Sequence, residues 1–188
     1  MNIPISIRSS LAVVLAALCA LMAGCGMNSP PPLSARALRP TRQFRDLPIF
    51  WAGTSFEGIA LTAADRPEDY LPALGMRVYY GDCGHHALLS SGGCTLPLEI
   101  NSILYKSHST LDLGPQRATR LRGVPAIIFD GGRSIELYTG RVSVDVYSDS
   151  PSRALRAVRA LRTLNVALVR RPGARLPPPE IAPGPAPH

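Results

Sequence analysis

Lysine is nearly absent from this chain of 188 residues, because Lys106 is the only lysine among its 20 basic side chains. Tryptophan occurs once, and aromatic residues make up only 6% of the chain. A phosphate-binding loop and a dinucleotide fingerprint are both missing, which argues against a nucleotide-dependent enzyme. The formal net charge is +7, but no stripe of clustered basic and aromatic residues accompanies it. We therefore expect no nucleic-acid partner.

The sequence also lacks an apolar run long enough to span a bilayer, which takes about 20 residues. Its leading apolar segment, residues 11–22, is 12 residues long and follows Arg8. That length is typical of the hydrophobic region of a signal peptide. An ordinary secretory signal and a retained anchor helix are two interpretations of this segment.

The apolar segment ends in Leu21-Met22-Ala23-Gly24-Cys25, which resembles the lipobox of bacterial lipoproteins and favours a third interpretation. Met22 departs from the leucine that this family prefers. The resemblance implies that residues 1–24 are a signal peptide and that Cys25 becomes the acylated first residue of the mature protein. It implies a lipid-anchored protein on the extracytoplasmic face of the cell membrane, with the bilayer as its partner.

The chain has four cysteines. If Cys19 leaves with the signal peptide and Cys25 carries lipid, Cys83 and Cys94 remain. An exported compartment is oxidising and favours a disulfide between them. In the chain-entropy model, closing a loop of this size contributes roughly 3 kcal/mol.

A metal site is the alternative for the same segment. Cys83, His85, His86 and Cys94 are ligand types that suit zinc or Cu(I). Their spacing does not match a pair of Cys-x2-Cys motifs, and adjacent histidines do not easily bind one ion. We therefore favour the disulfide and expect no cofactor.

Proline-rich stretches suggest the domain boundaries. Residues 25–40 are expected to form a flexible tether, and residues 170–188 a disordered proline-rich tail. Residues 41–169 between them are long enough for a single globular domain.

The pattern within that domain predicts an α+β fold, with a mainly antiparallel sheet, one C-terminal amphipathic helix and one disulfide. In the last predicted strand, Val142, Val144 and Val146 share one face. Residues 131–132 are a hairpin signal, and the helix is expected from Pro151 to about Asn165. The predicted strands are residues 47–52, 59–62, 76–80, 96–105, 118–122, 126–130, 135–139 and 142–147.

The predicted helix has a basic face. Arg153, Arg156, Arg159 and Arg162 fall opposite its apolar residues when they are placed at 100° intervals. A solvated face is the first interpretation. The alternative is a contact with anionic lipid or a wall polymer.

No catalytic motif is complete. The segment 53–57 approaches a nucleophile elbow, but Glu57 stands where the second glycine belongs. The histidines and acidic residues give no arrangement that indicates a triad or a carboxylate pair. We therefore expect no enzymatic activity. Phe50, Trp51, Phe56 and Tyr79 are candidates for a ligand groove, with core packing as the simpler interpretation.

The domain itself is similar to uncharacterised exported lipoproteins of actinomycete-type bacteria. The similarity lies in segments 50–53, 55–58, 80–83 and 135–141, and it implies no activity. More faintly, the order of strands and closing helix in residues 126–164 resembles lipoprotein-carrier folds.

The leading hypothesis is a non-catalytic binding or scaffold module. A carrier or sensor of an apolar ligand is the alternative, with a cavity between sheet and helix lined by Trp51, Val144 and Leu161. A metal-binding lipoprotein and an envelope hydrolase rank third and fourth.

Overall fold

The computed structural model describes residues 31–82, 96–105 and 115–180. Short helices, strands of two to seven residues and one longer helix make up these segments. In chain order, the helices and strands are α1 (Arg39–Gln43), β1 (Phe50–Trp51), β2 (Ser55–Phe56), β3 (Ile59–Ala64), β4 (Met76–Tyr80), β5 (Leu98–Leu104), β6 (Arg117–Leu121), β7 (Val124–Phe129), β8 (Ser134–Thr139), β9 (Val142–Ser148), α2 (Pro151–Ala160) and β10 (Arg162–Thr163).

Within the described residues, eight strands form one antiparallel sheet in the order β2-β3-β4-β5-β9-β8-β7-β6. The sheet therefore consists of two four-stranded meanders, β2–β5 and β6–β9, which meet through their last strands. Two-residue turns close the β2–β3 and β6–β7 hairpins. In both turns, Glu57-Gly58 and Arg122-Gly123, both residues have positive φ, which matches the twist of a tight hairpin.

The core lies between α2 and one face of the sheet. Ala154, Ala157 and Val158 of α2 are at most 1% exposed, and they face the central strands β8 and β9. Val144 and Val146 of β9 are fully buried in the same cluster. The predicted mainly antiparallel α+β fold is confirmed.

Helix α2 is shorter than predicted. It begins at Pro151 as expected but ends at Ala160, because Leu161 adopts an extended ψ of 134°. The next two residues form β10, which pairs with β1 apart from the main sheet. Backbone pairing with β1 thus replaces the last helical turn, and Arg162 does not belong to the helix.

The expected tether is largely part of the domain. The backbone amide of Leu33 donates to Leu61 of β3 at 2.7 Å, and Leu38 is 1% exposed. Within the expected residues 25–40, the described residues 33–40 therefore do not form a free linker. A buried position every third residue, at Leu38, Thr41 and Phe44, packs this segment against the domain.

The expected disordered tail also differs, because residues 170–180 lie along the domain. Leu176 is 3% exposed, and its amide donates to Arg122 at 3.1 Å. Pro179 forms a parallel bridge with Gly140 at the β8–β9 turn. Apolar residues between the prolines explain the difference, since a proline-rich segment can pack when it carries such anchors. Residues 181–188 lie outside the described residues.

Arg122 links the C-terminal segment, residues 170–180, to α2. Arg122, in the β6–β7 turn, donates to the carbonyls of Val158 at 3.0 Å and Leu161 at 2.6 Å. Its Nε donates to the carbonyl of Ala174 at 2.8 Å. The guanidinium therefore satisfies acceptors at the end of α2 and in the C-terminal segment.

The predicted signal peptide, Cys25 and the two cysteines of the predicted disulfide, Cys83 and Cys94, lie outside the described residues. In the part of the chain that the structure describes, no helix is long and apolar enough to cross a membrane.

Candidate functional site

The four aromatic residues expected to line a groove do not come together. Phe50, Trp51 and Phe56 belong to the main core, where they are 0%, 7% and 9% exposed. Tyr79 lies on the other face of the sheet, packed with Ala63. Strand alternation accounts for the separation, because Val78 and Tyr80 on either side of Tyr79 face the core.

The basic face of α2 is largely paired within the domain. Arg153 donates to the carboxylate of Glu57 at 3.1 Å and also pairs with Asp149. Arg156 hydrogen-bonds to the other oxygen of Glu57, and these bonds, together with that of Arg153, lower the pKa of Glu57. Arg159 is exposed on the helix, whereas Arg162 lies on β10. Contact of this face with lipid or a wall polymer stays a prediction.

Polar side chains share with apolar ones the face of the sheet that points away from α2. Glu136 of β8 lies directly opposite Asp145 of β9, and the two residues are 7% and 4% exposed. Glu99 of β5 lies on the same face, opposite Tyr147, and burial raises its pKa. Tyr138, also on this face, stacks on Tyr105 with ring centroids 5.7 Å apart.

Sequence reasoning missed this acid–tyrosine face, although the alternation in residues 142–147 places Asp145 and Tyr147 opposite the valines. The missing information was burial, because alternation does not tell whether the second face is covered. Buried polar groups in proteins are as a rule hydrogen-bonded, so we expect these carboxyl and phenol groups to accept and donate hydrogen bonds within the sheet. We interpret this face as a polar packing layer.

A cleft of about 610 Å³ opens between the N-terminal segment and the end of β3. Asp65 lies in its wall and accepts hydrogen bonds from the backbone amide and Nε of Arg77, at 3.1 and 3.0 Å. The hydroxyl of Tyr79 donates to the same carboxylate at 3.2 Å. The internal partners of Asp65 make it a structural residue of this wall. The lining residues are Leu33, Ser34, Arg36, Ala37, Pro40, Ala63, Ala64, Asp65, Arg66, Glu68 and Asp69.

A second polar constellation, which we call the Arg–Trp corner, comprises Arg42, Trp51 and Arg162. Trp51 and Arg162 are opposite each other in the β1–β10 pair, and the Arg162 guanidinium carbon lies 5.1 Å from the indole centroid. Arg42, from the last turn of α1, lies 5.7 Å from the same centroid. Both distances are within the range of cation–π contacts.

Backbone and side-chain bonds of neighbouring residues fix this corner. The amide of Leu164 donates to Ile49 at 2.8 Å, and the side chain of Asn165 binds the amide of Ile49 at 2.8 Å. The hydroxyl of Tyr80 accepts from the amide of Ala52 and donates to the carbonyl of Gly53. Trp51 and Arg162 therefore sit on two strands whose register is held from both ends.

The Arg–Trp corner brings together residues from two separate sequence predictions. Trp51 is a candidate for ligand binding and Arg162 for contact with an anion, but nothing in the sequence places the two residues together. Arg42 is not predicted at all. Its only signal is its place in a segment where arginine recurs every third residue, which becomes meaningful once Leu38 and Thr41 are known to be buried.

The remaining expectations concern the cavity and the metal site. Trp51, Val144 and Leu161 all belong to the main core, and none of them lines the cleft beside β3. Among the described residues, no three histidine, cysteine, aspartate or glutamate side chains are placed to hold a metal ion. Cys83, His85, His86 and Cys94 lie outside those residues.

Comparison with protein families, with curated proteins and with solved structures gives no match to this chain.

Proposed function

We propose that the protein is a lipid-anchored, extracytoplasmic binding module that catalyses no reaction. Its anchor is the acylated Cys25 at the end of the lipobox-like segment. The observation that supports this most is the position at which the chain enters the domain. Leu33, eight residues after Cys25, is already hydrogen-bonded to β3.

This short connection limits how far the domain stands from the membrane. An extended chain advances at most about 3.6 Å per residue, so eight residues span at most roughly 29 Å. An acylated Cys25 would hold the domain close to the lipid headgroups, where a surface-binding module works.

The proposal includes a disulfide between Cys83 and Cys94. These cysteines lie in the connection between β4 and β5, which are antiparallel neighbours with Tyr80 directly opposite Leu98. The two ends of the connection are therefore held side by side, which suits a bridge between residues near its ends. Intact mass spectrometry tests it, because the oxidised protein is lighter than the reduced one by two hydrogen atoms.

Substitution of the cysteines tests the anchor. In cells supplied with labelled palmitate, Cys25→Ser is expected to abolish labelling. Cys19→Ser is the matched control, because Cys19 lies within the predicted signal peptide and its loss leaves the lipobox intact. Labelling that persists in Cys25→Ser, or disappears equally in Cys19→Ser, contradicts anchoring through Cys25.

A further inference from the structure

We propose that the Arg–Trp corner binds the phosphate group of a ligand. Arg42 and Arg162 both lie over the ring of Trp51, at 5.7 and 5.1 Å from its centroid. Their guanidinium carbons are therefore no more than 10.8 Å apart, the sum of these distances. The corner therefore places two positive charges within this distance of each other, beside one aromatic ring.

Four arginines of the described residues are half-buried, and one of them, Arg122, has backbone carbonyls as its partners. The half-buried Arg77 and Arg153 each form an ion pair, with Asp65 and Glu57 respectively. Arg162, also only partly exposed, has no ion pair with a carboxylate within the described residues. Burying a cation without a counter-charge is unfavourable, and an anionic ligand would compensate for it.

Hydrogen-bond donors point to the same ligand chemistry. The indole N–H of Trp51 and the Nε–H of Arg162 are buried and have no acceptor in the described part of the chain. Neither group can act as an acceptor, so each needs an acceptor oxygen from a ligand or from water. The nearby hydroxyl of Tyr80 already bonds to Ala52 and Gly53. Phosphate oxygens supply the acceptors, and guanidinium groups bind them in a bidentate manner.

Gly53 provides the space that the site needs. A Cβ atom at this position would lie 2.7 Å from Nη2 of Arg162, closer than such atoms approach. A glycine here therefore lets the guanidinium lie against the backbone beside Trp51.

The phosphate has two candidate sources, a lipid headgroup and a soluble phosphate ester. Binding of a soluble phosphate is independent of the proposed lipid anchor. Only the headgroup source rests on the proposed function, because it requires the domain to be held near the bilayer.

The single tryptophan of the chain makes this site directly measurable, because all tryptophan fluorescence comes from Trp51. The full chain in nonionic detergent is titrated with inorganic phosphate and with glycerol phosphate at constant ionic strength. After dilution below the critical micelle concentration of the detergent, it is also titrated with vesicles of phosphatidylglycerol and, separately, of phosphatidylcholine. A saturable change in emission is expected with at least one phosphate-bearing probe, while sodium acetate and phosphatidylcholine leave the emission unchanged.

Variants identify the residues responsible. Arg162→Gln is expected to weaken binding at least tenfold, and Arg42→Gln severalfold. Arg162→Lys keeps the charge but loses the buried Nε–H and the planar fork, and it is expected to bind more weakly than the wild type. Arg120→Gln, at an exposed position on β6, is the control and is expected to bind like the wild type. Circular dichroism melting verifies that each variant is folded.

The outcomes distinguish a lipid headgroup from a soluble phosphate ester, and they show whether the corner binds phosphate at all. A response to phosphatidylglycerol vesicles alone assigns the site to a headgroup, and a response to soluble phosphate assigns it to a soluble ester. No saturable response to any phosphate probe, an equal response to acetate, or equal binding by folded Arg162→Gln and Arg120→Gln overturns the proposal. Cys25→Ser labelling is measured separately, so failure of the anchor and failure of the phosphate site are distinguished.

Discussion

Glu57 binds Arg153 across a sequence separation of 96 residues, with 3.1 Å between its Oε2 and the arginine Nε. The contact joins the β2–β3 turn to the first turns of α2, and Arg156 binds the same carboxylate. It neutralises part of the arginine face that the helical pattern presents to solvent.

This contact predicts a pH dependence of stability. Hydrogen bonds from Arg156 and Arg153 lower the pKa of Glu57 below its ordinary value of 4.5. The stabilisation is therefore complete above about pH 4.5 and is lost as the pH falls through the lowered pKa of the folded state. Replacing Glu57 with Gln is expected to cost at most about 1 kcal/mol at neutral pH, because the contact is partly exposed.

Chemical denaturation of the wild type and Glu57→Gln between pH 7 and pH 3 measures this effect. The difference between their unfolding free energies should be constant near neutrality and shrink in acid. A difference that grows on acidification contradicts the assignment.

The hydroxyl of Tyr80 is predicted to contribute to stability, because it holds the backbone that follows β1, the strand of Trp51. Its hydroxyl bonds to the amide of Ala52 at 2.8 Å and to the carbonyl of Gly53 at 3.0 Å, in a fully buried position. Tyr80→Phe leaves both backbone groups unpaired and is expected to cost about 2 kcal/mol or more. Tyr70→Phe is the control, because the buried hydroxyl of Tyr70 has no partner in the described part of the chain. Equal losses in both variants, measured by urea denaturation, refute the prediction.

Two glycines with nearly the same positive φ are predicted to respond differently to substitution by alanine. Gly75 and Gly58 have φ of +76° and +77°. A Cβ atom at Gly75 would lie 2.5 Å from the carbonyl oxygen of Ser102, whereas nothing lies within 4 Å of one at Gly58. Gly58→Ala is expected to cost about 1 kcal/mol from the backbone alone, and Gly75→Ala about 3 kcal/mol or more. Thermal unfolding measures both, and a similar loss in the two variants would show that space at Gly75 is not limiting.

The packing of the C-terminal segment is tested by Leu176. This side chain is 3% exposed, so Leu176→Ala is expected to cost about 2 kcal/mol or more. Leu168→Ala removes the same atoms from a side chain that is 49% exposed and is expected to change little. A disordered segment would make Leu176→Ala as neutral as its control, which denaturant titration detects.

The central sheet and the start of α2 were predictable because short-range signals determine them. The alternation of residues in β9 is a signal within one strand. Pro151 marks the start of α2 within a single helical turn. The end of α2 was not predictable from its amphipathic pattern, since pairing of β10 with β1 decides it. The Arg–Trp corner depends on the same long-range pairing, which places Arg162 beside Trp51. The many prolines of the C-terminal segment predicted disorder, and they give no sign that Leu176 is buried against the domain.

Arg122 has a consequence for motion within the folded state. Its guanidinium bonds to Val158 and Leu161 at the end of α2 and to Ala174 in the C-terminal segment. Opening either region breaks bonds to the same side chain, so the β6–β7 turn, the helix end and the C-terminal segment are expected to open together. In hydrogen–deuterium exchange, the amides of these three regions should share one opening free energy, and Arg122→Lys should lower it for all three at once.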